Sequence, residues 1–432
     1  MSDASLARST EIQIIFEGVD ITAKARDYLK SLTYTDNEED NADDLQITLD
    51  DREGIWIGNW LNTPVQRATP PKNSGWTIGD EVIVTGRPQY SSYGNGRPGT
   101  MLKNYRGKVT HLNLKSGIPY PIHVDYKGWY ALNQVQKVGE RKATMTRSGG
   151  AKGAEIRVAI IQRNWNGDGK DRKLNCGIFE VDSVDGSGPP AQVTIKGTSI
   201  PYTSTIRNQQ KTKAWEKIRL KEIAKQIARN GGMKILYESD YNPLYKRREQ
   251  TQQSDIEFLQ KLCKDAGIAL KVTGKTIVLF DAEKYENKPA TRTIARGSSD
   301  VLNYRFSTNF KDSCYTSCHV VYEEPKTGKK IEASYTRPDP ENGTGQVLEI
   351  NERVTSKAEA YQLAQKRLRQ KNKGEYEAEF TLLGDVSMVA GVTVKVQGYG
   401  AFDGKYIIET ATHNATGGYT VALKLRKVLE GY

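Results

Sequence analysis

The chain has 432 residues, a length that suggests about three domains of roughly 150 residues, with core enough to stand without disulfide staples. Glycine (39) and tyrosine (23) are plentiful while phenylalanine (8) and methionine (5) are scarce, which favours strands and turns and argues against an all-helical fold. The net charge of +11 is uneven, since residues 36–53 hold nine acidic side chains against Arg52 alone and residues 72–139 hold nine Lys and Arg against three acids.

Glu11–Phe16, Leu29–Tyr34 and Leu45–Leu49 read as three strands, the last by strict alternation of apolar and polar residues. The acidic stretch between them reads as a solvated, charged connection that keeps strand edges soluble. Ile55–Trp60 reads as a further strand, and the Pro-containing run 62–74 as a linker. Residues 76–138 change to short strands with Gly and Pro turns, and Arg141–Lys152 is a second linker, so a small β-barrel is expected between them. Strand character resumes over 154–161, 177–181 and 191–196. Lys211–Asn230 is predicted to be a helix, with Trp215, Ile218, Ile223, Ala224, Ile227 and Ala228 on one stripe. Ser254-Asp-Ile-Glu257 and Ser356-Lys-Ala-Glu359 are capping boxes opening two more helices, and Ile268–Val272 with Thr276–Phe280 reads as a hairpin. The remainder, from Tyr376 to Leu425, is strands, and no internal repeat is visible at the level of identity.

Four cysteines (176, 263, 314, 318) do not make a disulfide framework, and Met1–Arg8 lacks a secretory pattern, so assembly in a reducing cytoplasm is expected. No apolar run approaches the ~20 residues of a membrane span. No convergent catalytic set emerges either. The four histidines (111, 123, 319, 413) are scattered, and Gly94-Asn-Gly96-Arg-Pro-Gly99 has no helix start behind it for a pyrophosphate. Asn164-x-Asn166-x-Asp168-Gly169 begins like a calcium loop but has Asn175 where the bidentate glutamate belongs, so it reads as a hairpin tip. Cys314 and Cys318 beside His319 offer three ligands at most and read as buried hydrophobes. Catalytic, cofactor and metal residues are therefore expected to be none. What remains is the basic 72–139 block, whose Tyr90, Tyr93, Tyr105, Tyr126, Trp129 and Tyr130 read either as the core and rim of an ordinary barrel or as a surface for an anionic polymer, nucleic acid or cell-wall glycan; Trp76, Tyr90, Tyr93, Arg97, Trp129 and Tyr130 are the candidate partner or glycan contact residues.

The order of motifs carries a resemblance. Phe16-x-Gly18-x-Asp20-Ile-Thr22, Ala42-Asp43-Asp44-Leu45-x-Ile47-x-Leu49-x-Asp51 with Trp56 and Trp60, Cys176–Asp182 followed by Pro189–Pro201, the Trp215 segment, and Gln252–Leu262 occur in a familiar sequence. Gly384-Asp385, Ala390-Gly391, Phe402-Asp-Gly404-Lys-Tyr406 and His413–Tyr419 complete it. Together they resemble the phage late control protein D family, the contractile-tail baseplate hubs related to the base of VgrG-type spikes. The match covers roughly 1–65 and 150–432; the intervening block resembles an inserted SH3-like barrel.

That resemblance implies a mainly β (α+β) chain. Residues 1–69 and 150–205 would form a discontinuous first hub β-barrel, and 70–149 the inserted barrel. Residues 206–300 would be an α/β middle domain, and 301–432 a second hub barrel with one helix. It also implies a structural, non-enzymatic homotrimer, located in the baseplate of a virion or tail-like bacteriocin particle. Its partners would be the tail tube protein, the central spike protein and baseplate wedge proteins, with cell-wall contact through 70–149 left open. Strands such as Tyr419–Leu425 are expected to be unpaired in a lone copy. The rival reading is a tail-associated cell-wall-binding or hydrolase protein.

Overall fold

Strands are the commonest element among the described residues, in keeping with the chain's many glycines and tyrosines. The computed structural model describes residues 8–39, 41–56, 76, 78–94, 98–113, 118–137, 153–200, 205–324, 328–415 and 417–432, and the chain divides into one unit of residues 1–64 with 150–432 and another of residues 65–149.

The larger unit begins with β1 (Ser9–Phe16), β2 (Val19–Asp20), α1 (Thr22–Arg26), β3 (Leu29–Asn37) and β4 (Asp44–Asp50). Alternation puts Leu32 and Tyr34 of β3, and Leu45, Ile47 and Leu49 of β4, on one buried face. Ile55 and Trp56 follow β4 in a turn and not in the expected strand, because Asp51 Oδ1 accepts the Trp56 backbone N–H at 2.6 Å and curls the chain; residues 57–60 lie outside the described residues.

The smaller unit comprises β5 (Glu81–Gly86), β6 (Leu102–Leu112), β7 (Ile122–Val124), β8 (Gly128–Tyr130) and β9 (Val135–Lys137), hydrogen-bonded antiparallel in the order β8-β7-β6-β5-β9. It has a core of its own in Val82, Val84, Val109, Ile122, Val124, Tyr130 and Val135.

Back in the larger unit, β10 (Glu155–Arg163), β11 (Arg172–Ser187) and β12 (Gln192–Thr198) form consecutive hairpins that pair through β12 with β4 and through β10 with β1. A mixed layer follows: α2 (Thr205–Asn208), β13 (Lys211–Arg219), α3 (Leu220–Asn230), β14 (Lys234–Tyr237), β15 (Leu244–Gln253), α4 (Asp255–Ala266), β16 (Ala269–Thr273), β17 (Thr276–Phe280) and α5 (Ala282–Glu286). The predicted helix over 211–230 is half right. Residues 211–219 are a strand because β15 supplies an antiparallel ladder to them, and Trp215 stays buried by stacking on Phe258 at 6.1 Å. The apolar stripe Leu220, Ile223, Ala224, Ile227 and Ala228 is helical and faces the same core. At the start of α4 the capping box closes as read: Ser254 N–H donates to Glu257 Oε2 at 2.9 Å and Glu257 N–H to Ser254 Oγ at 3.3 Å.

The last third holds β18 (Arg292–Ala295), β19 (Val301–Thr308), α6 (Phe310–Ser313), β20 (Ser317–Glu323), β21 (Lys330–Thr336), β22 (Val347–Ile350), α7 (Lys357–Asn372), β23 (Tyr376–Leu383), β24 (Thr393–Gln397), β25 (Gly404–Ala415) and β26 (Tyr419–Lys427). A three-stranded sheet, β21-β20-β22, packs on α7 around Val320, Leu363 and Leu368. The other strands join the first half: residues 410–415 of β25 pair antiparallel with 37–32 of β3, so a single 13-stranded sheet runs β19-β23-β26-β25-β3-β4-β12-β11-β10-β1-β2, with β24 on β25 and β18 on β24. Strand β26 is paired along both sides, by β25 and β23, which overturns the expectation that Tyr419–Leu425 would be an open edge.

A repeat that identity does not reveal is written in the register. Strands β3, β4, β12, β11 and β10 correspond to β19, β23, β26, β25 and β24, with bulges at matched places: Leu29/Ser31 against Val301/Asn303, and Val181/Ser183 against Ile408/Thr410. The flanking hydrogen bonds correspond too. Asp50 N–H donates to Tyr28 O as Leu383 N–H does to Asp300 O, and Val181 N–H to Ala154 O as Ile408 N–H does to Val392 O. Gly153 and Gly391 take the same left-handed turn, with φ of 75° and 82°.

The acidic stretch is not a solvated connection. Asp36, Glu38, Asp43, Asp50 and Asp51 are buried; Asp50 pairs locally with Lys30 and Arg52 and Asp51 holds the Trp56 N–H, while basic side chains from distant parts of the chain converge on the others. Lys271 Nζ donates to Asp36 Oδ1 at 2.5 Å, and Lys373 Nζ to Glu39 Oε1 at 2.6 Å. The fully buried Arg426 guanidinium reaches Glu286 at 2.6 Å, Glu38 at 3.3 Å and Glu409 at 3.4 Å. Removing one side of such a network strands the other side without water or counter-charge. Arg426→Met is expected to cost about 3–5 kcal/mol in urea unfolding, and adding Glu38→Gln to it should recover part of that loss. A cost below about 1 kcal/mol would show the network to be incidental.

Candidate assembly surfaces

The calcium-like loop and the four cysteines are tied into the fold. Asn164 Oδ1 accepts the Gly169 N–H at 2.7 Å and Asp168 pairs with Arg172, so this loop is closed on itself as the tip of the β10–β11 hairpin. All four cysteines are buried and free; burial raises the Cys314 thiol and pushes Cys318 up to about 12. Among the described residues no group of three or more His, Cys, Asp or Glu is placed to hold a metal ion, and no helix is long and apolar enough to cross a membrane.

Of the six candidate contact residues, the smaller unit brings only some to its surface. Tyr90 and Tyr93 are 75% and 60% exposed, whereas Tyr130 is fully buried and Trp76 packs against the core. Trp129 is half-buried: its backbone exchanges two 2.8 Å hydrogen bonds with Gln89, and its ring meets His123 edge-on at 5.1 Å. Arg97 lies outside the described residues. Among the described residues the most exposed aromatic is Tyr126, which belongs to the basic block's aromatics but not to the six contact candidates: it is 85% exposed, with the Lys127 ammonium 4.6 Å from its ring. Its position was legible, since Asp125-Tyr-Lys-Gly128 is a turn sequence, and Asp125 adopts φ 45° there.

A second surface, on the larger unit, was missed. β19 is the terminal strand of the long sheet and leaves Leu302 and Tyr304 exposed. Phe306 is half-buried, stacked on Phe402 at 4.6 Å and 5.1 Å from Tyr399. The signal was the alternation Leu302, Tyr304, Phe306 against Asn303, Arg305, Ser307.

Several strongly perturbed groups lie at and beside the β3–β25 seam. Burial lifts Glu38 to about 7 even with Arg426 beside it, and Asp43 to about 7 despite Lys271. Burial would raise Glu286 as well, but Arg426 and Arg369 hold it below the usual range. His413 is sealed between Tyr34 and Tyr419, with Nδ1 2.7 Å from the Tyr419 hydroxyl, and burial depresses it from 6.5 to about 4. These groups are not arrayed around an open cleft; they hold strands together.

A continuous sheet built from two like halves, with its perturbed charges inside the seam and its apolar residues at an open edge, describes a structural component of an assembly. The comparisons agree. Residues 151–419 match the family described as Phage tail baseplate hub (GPD), and the chain belongs to that family. A probable baseplate hub protein of Escherichia phage 186 is 24% identical over 309 residues, covering 62% of this chain and 78% of that protein. Among solved structures, the 43 kDa tail protein of prophage MuSo2 from Shewanella oneidensis aligns at TM-score 0.53 and 14% identity over 97% of this chain and 98% of its own. A tail protein from Neisseria meningitidis MC58 aligns at 0.55 and 9% over 97% of both chains. The protein is a baseplate hub component of a phage tail, and its mainly β architecture is that of these tail proteins.

The depressed His413 makes a signed prediction. The unfolded imidazole binds its proton near 6.5 and the folded one near 4, so the contribution is complete above about 6.5 and is lost as pH falls from there to about 4. At about 1.4 kcal/mol per unit this amounts to about 3 kcal/mol, and His413→Gln should flatten that part of the stability–pH curve. Parallel curves for the two proteins would refute it.

Proposed function

We propose that this hub acts as a homotrimer joining the tail tube to the central spike, without a catalytic step of its own. The observation that carries the reading is the register-matched repeat: one chain holds two versions of the same five-strand group, so three chains would present six like faces toward a sixfold tube and three toward a threefold spike. The symmetry change would then be built into a single polypeptide.

The unit 65–149 is read as an SH3-like module whose role is contact with a neighbouring baseplate protein, such as a wedge component. Its own sheet and core support its being separable, and Tyr90, Tyr93 and Tyr126 are large, exposed and suited to a protein surface.

Light scattering of the 48.3 kDa chain should give a trimer at micromolar concentration, and the same state when residues 65–149 are replaced by a short Gly-Ser link. A monomer in both cases would refute the trimer; loss of the trimer only in the shortened chain would make the module part of the hub interface. For the module, the full chain at ~0.15 M salt should not be retained on purified cell wall. Salt-resistant retention abolished by Tyr90→Ser with Tyr126→Ser would assign it to wall binding instead.

A further inference from the structure

The register-matched repeat contains one junction that is made and one that is left open. In the made junction, residues 410–415 of β25 extend past the end of β24 and pair with β3. The equivalent stretch of β11, residues 183–187, extends past the last β10 pairing in the same way, and its edge away from β12 carries no strand among the described residues. The equivalent of β3 is β19, which pairs only with β23 and ends the sheet. The sheet therefore has two open edges that are the halves of a junction it already makes once.

Burial says the same. Leu32 and Tyr34 on β3 are 0% and 4% exposed under β25, whereas their counterparts on β19 are Tyr304, 46% exposed, and the half-buried Phe306. On the other side, Ala411 and His413 are fully buried, whereas the counterparts on β11 are the half-buried Val184 and the exposed Gly186. Matched positions in a repeat differ this way when one set has its partner and the other lacks it.

We propose that residues 183–187 of β11 in one copy pair antiparallel with β19 of a second copy of this chain, in the register of the β25–β3 junction. Transferring that register sets Ser183 opposite Asn309, Val184 opposite Thr308, Asp185 opposite Ser307, Gly186 opposite Phe306 and Ser187 opposite Arg305. Phe306 then covers the bare backbone at Gly186, as Tyr34 stacks on His413 at 5.8 Å in the made junction. Arg305 falls diagonally across from Asp185, within reach of an opposite charge. Because the two edges differ, the contact is head-to-tail and repeats until a ring closes. The inference rests on the trimer reading and adds to it the surface and register by which copies meet.

The test uses the full chain carrying Asp185→Cys and Ser307→Cys together. Their counterparts, Thr412 and Thr35, have hydroxyls 3.5 Å apart, so the cysteines would face one another across the junction. Oxidation conditions are set as those that bridge Thr35→Cys with Thr412→Cys inside one chain, the four native cysteines being buried. Under them the 185/307 variant should pass mostly into covalent dimers and trimers on a non-reducing gel. Each single variant should remain a monomer there, as should Asp185→Cys with Thr308→Cys, whose one-residue slip turns the second thiol to the opposite face. A trimer by light scattering that does not cross-link at 185/307 overturns the junction and leaves the trimer standing; a monomer by light scattering overturns both.

Discussion

The seam between β3 and β25 is the constraint on which the rest of the larger unit depends. It joins strands nearly four hundred residues apart, and it is closed by backbone pairing from Leu32–Ala415 to Asn37–Thr410 with a further bond from Glu38 N–H to Glu409 O. Because a one-residue slip would turn every side chain to the opposite face, the seam must be specified chemically as well as by hydrogen bonds. His413 between Tyr34 and Tyr419 specifies one end, and Arg426 between Glu38, Glu286 and Glu409 specifies the other.

Buried charge is a costly means of joining elements, and hydrophobic replacements are often as stable. Its use here has a geometric reason. Glu286 ends α5, Glu38 follows β3, and Arg426 lies on β26, so a single guanidinium meets three carboxylates from separate parts of the chain only when the sheet and the α/β layer are docked correctly. Lys271 of β16 does the same for Asp36, whose other oxygen accepts the Ala390 N–H at 2.9 Å. A wrong docking would leave these charges buried and unpaired, a penalty larger than that of misplacing a leucine.

Gly384 of the family motif answers to close packing. A side chain at Gly384 would overlap the Tyr419 ring, and its N–H and C=O are taken by Tyr419 O and by the Gln162 amide. That short segment thus ties β23, β26 and β10 together, which is why Gly384 and Tyr419 both belong to the pattern by which the sequence resembles baseplate hubs. The smaller unit needs none of these contacts for its own core, having Val82, Ile122 and Tyr130 at its centre.

Local chemistry was readable along the chain. Alternation located β4, β23 and β26, and Ser254 and Ser356 located two helix starts. Motif order carried the family. Three things were decided only by the folded chain. Residues 211–219 became a strand because β15 offered a ladder that a single segment cannot announce. The acidic stretch became interior because its counter-ions, Lys271, Lys373 and Arg426, lie hundreds of residues away, and sequence reading sees charge but not the distance at which it is neutralised. The repeat stayed hidden because a β-ladder conserves register, bulge position and the apolar character of one face, and Leu32, Tyr34 and Ile47 can be answered by Tyr304, Phe306 and Phe380 without sharing an identity.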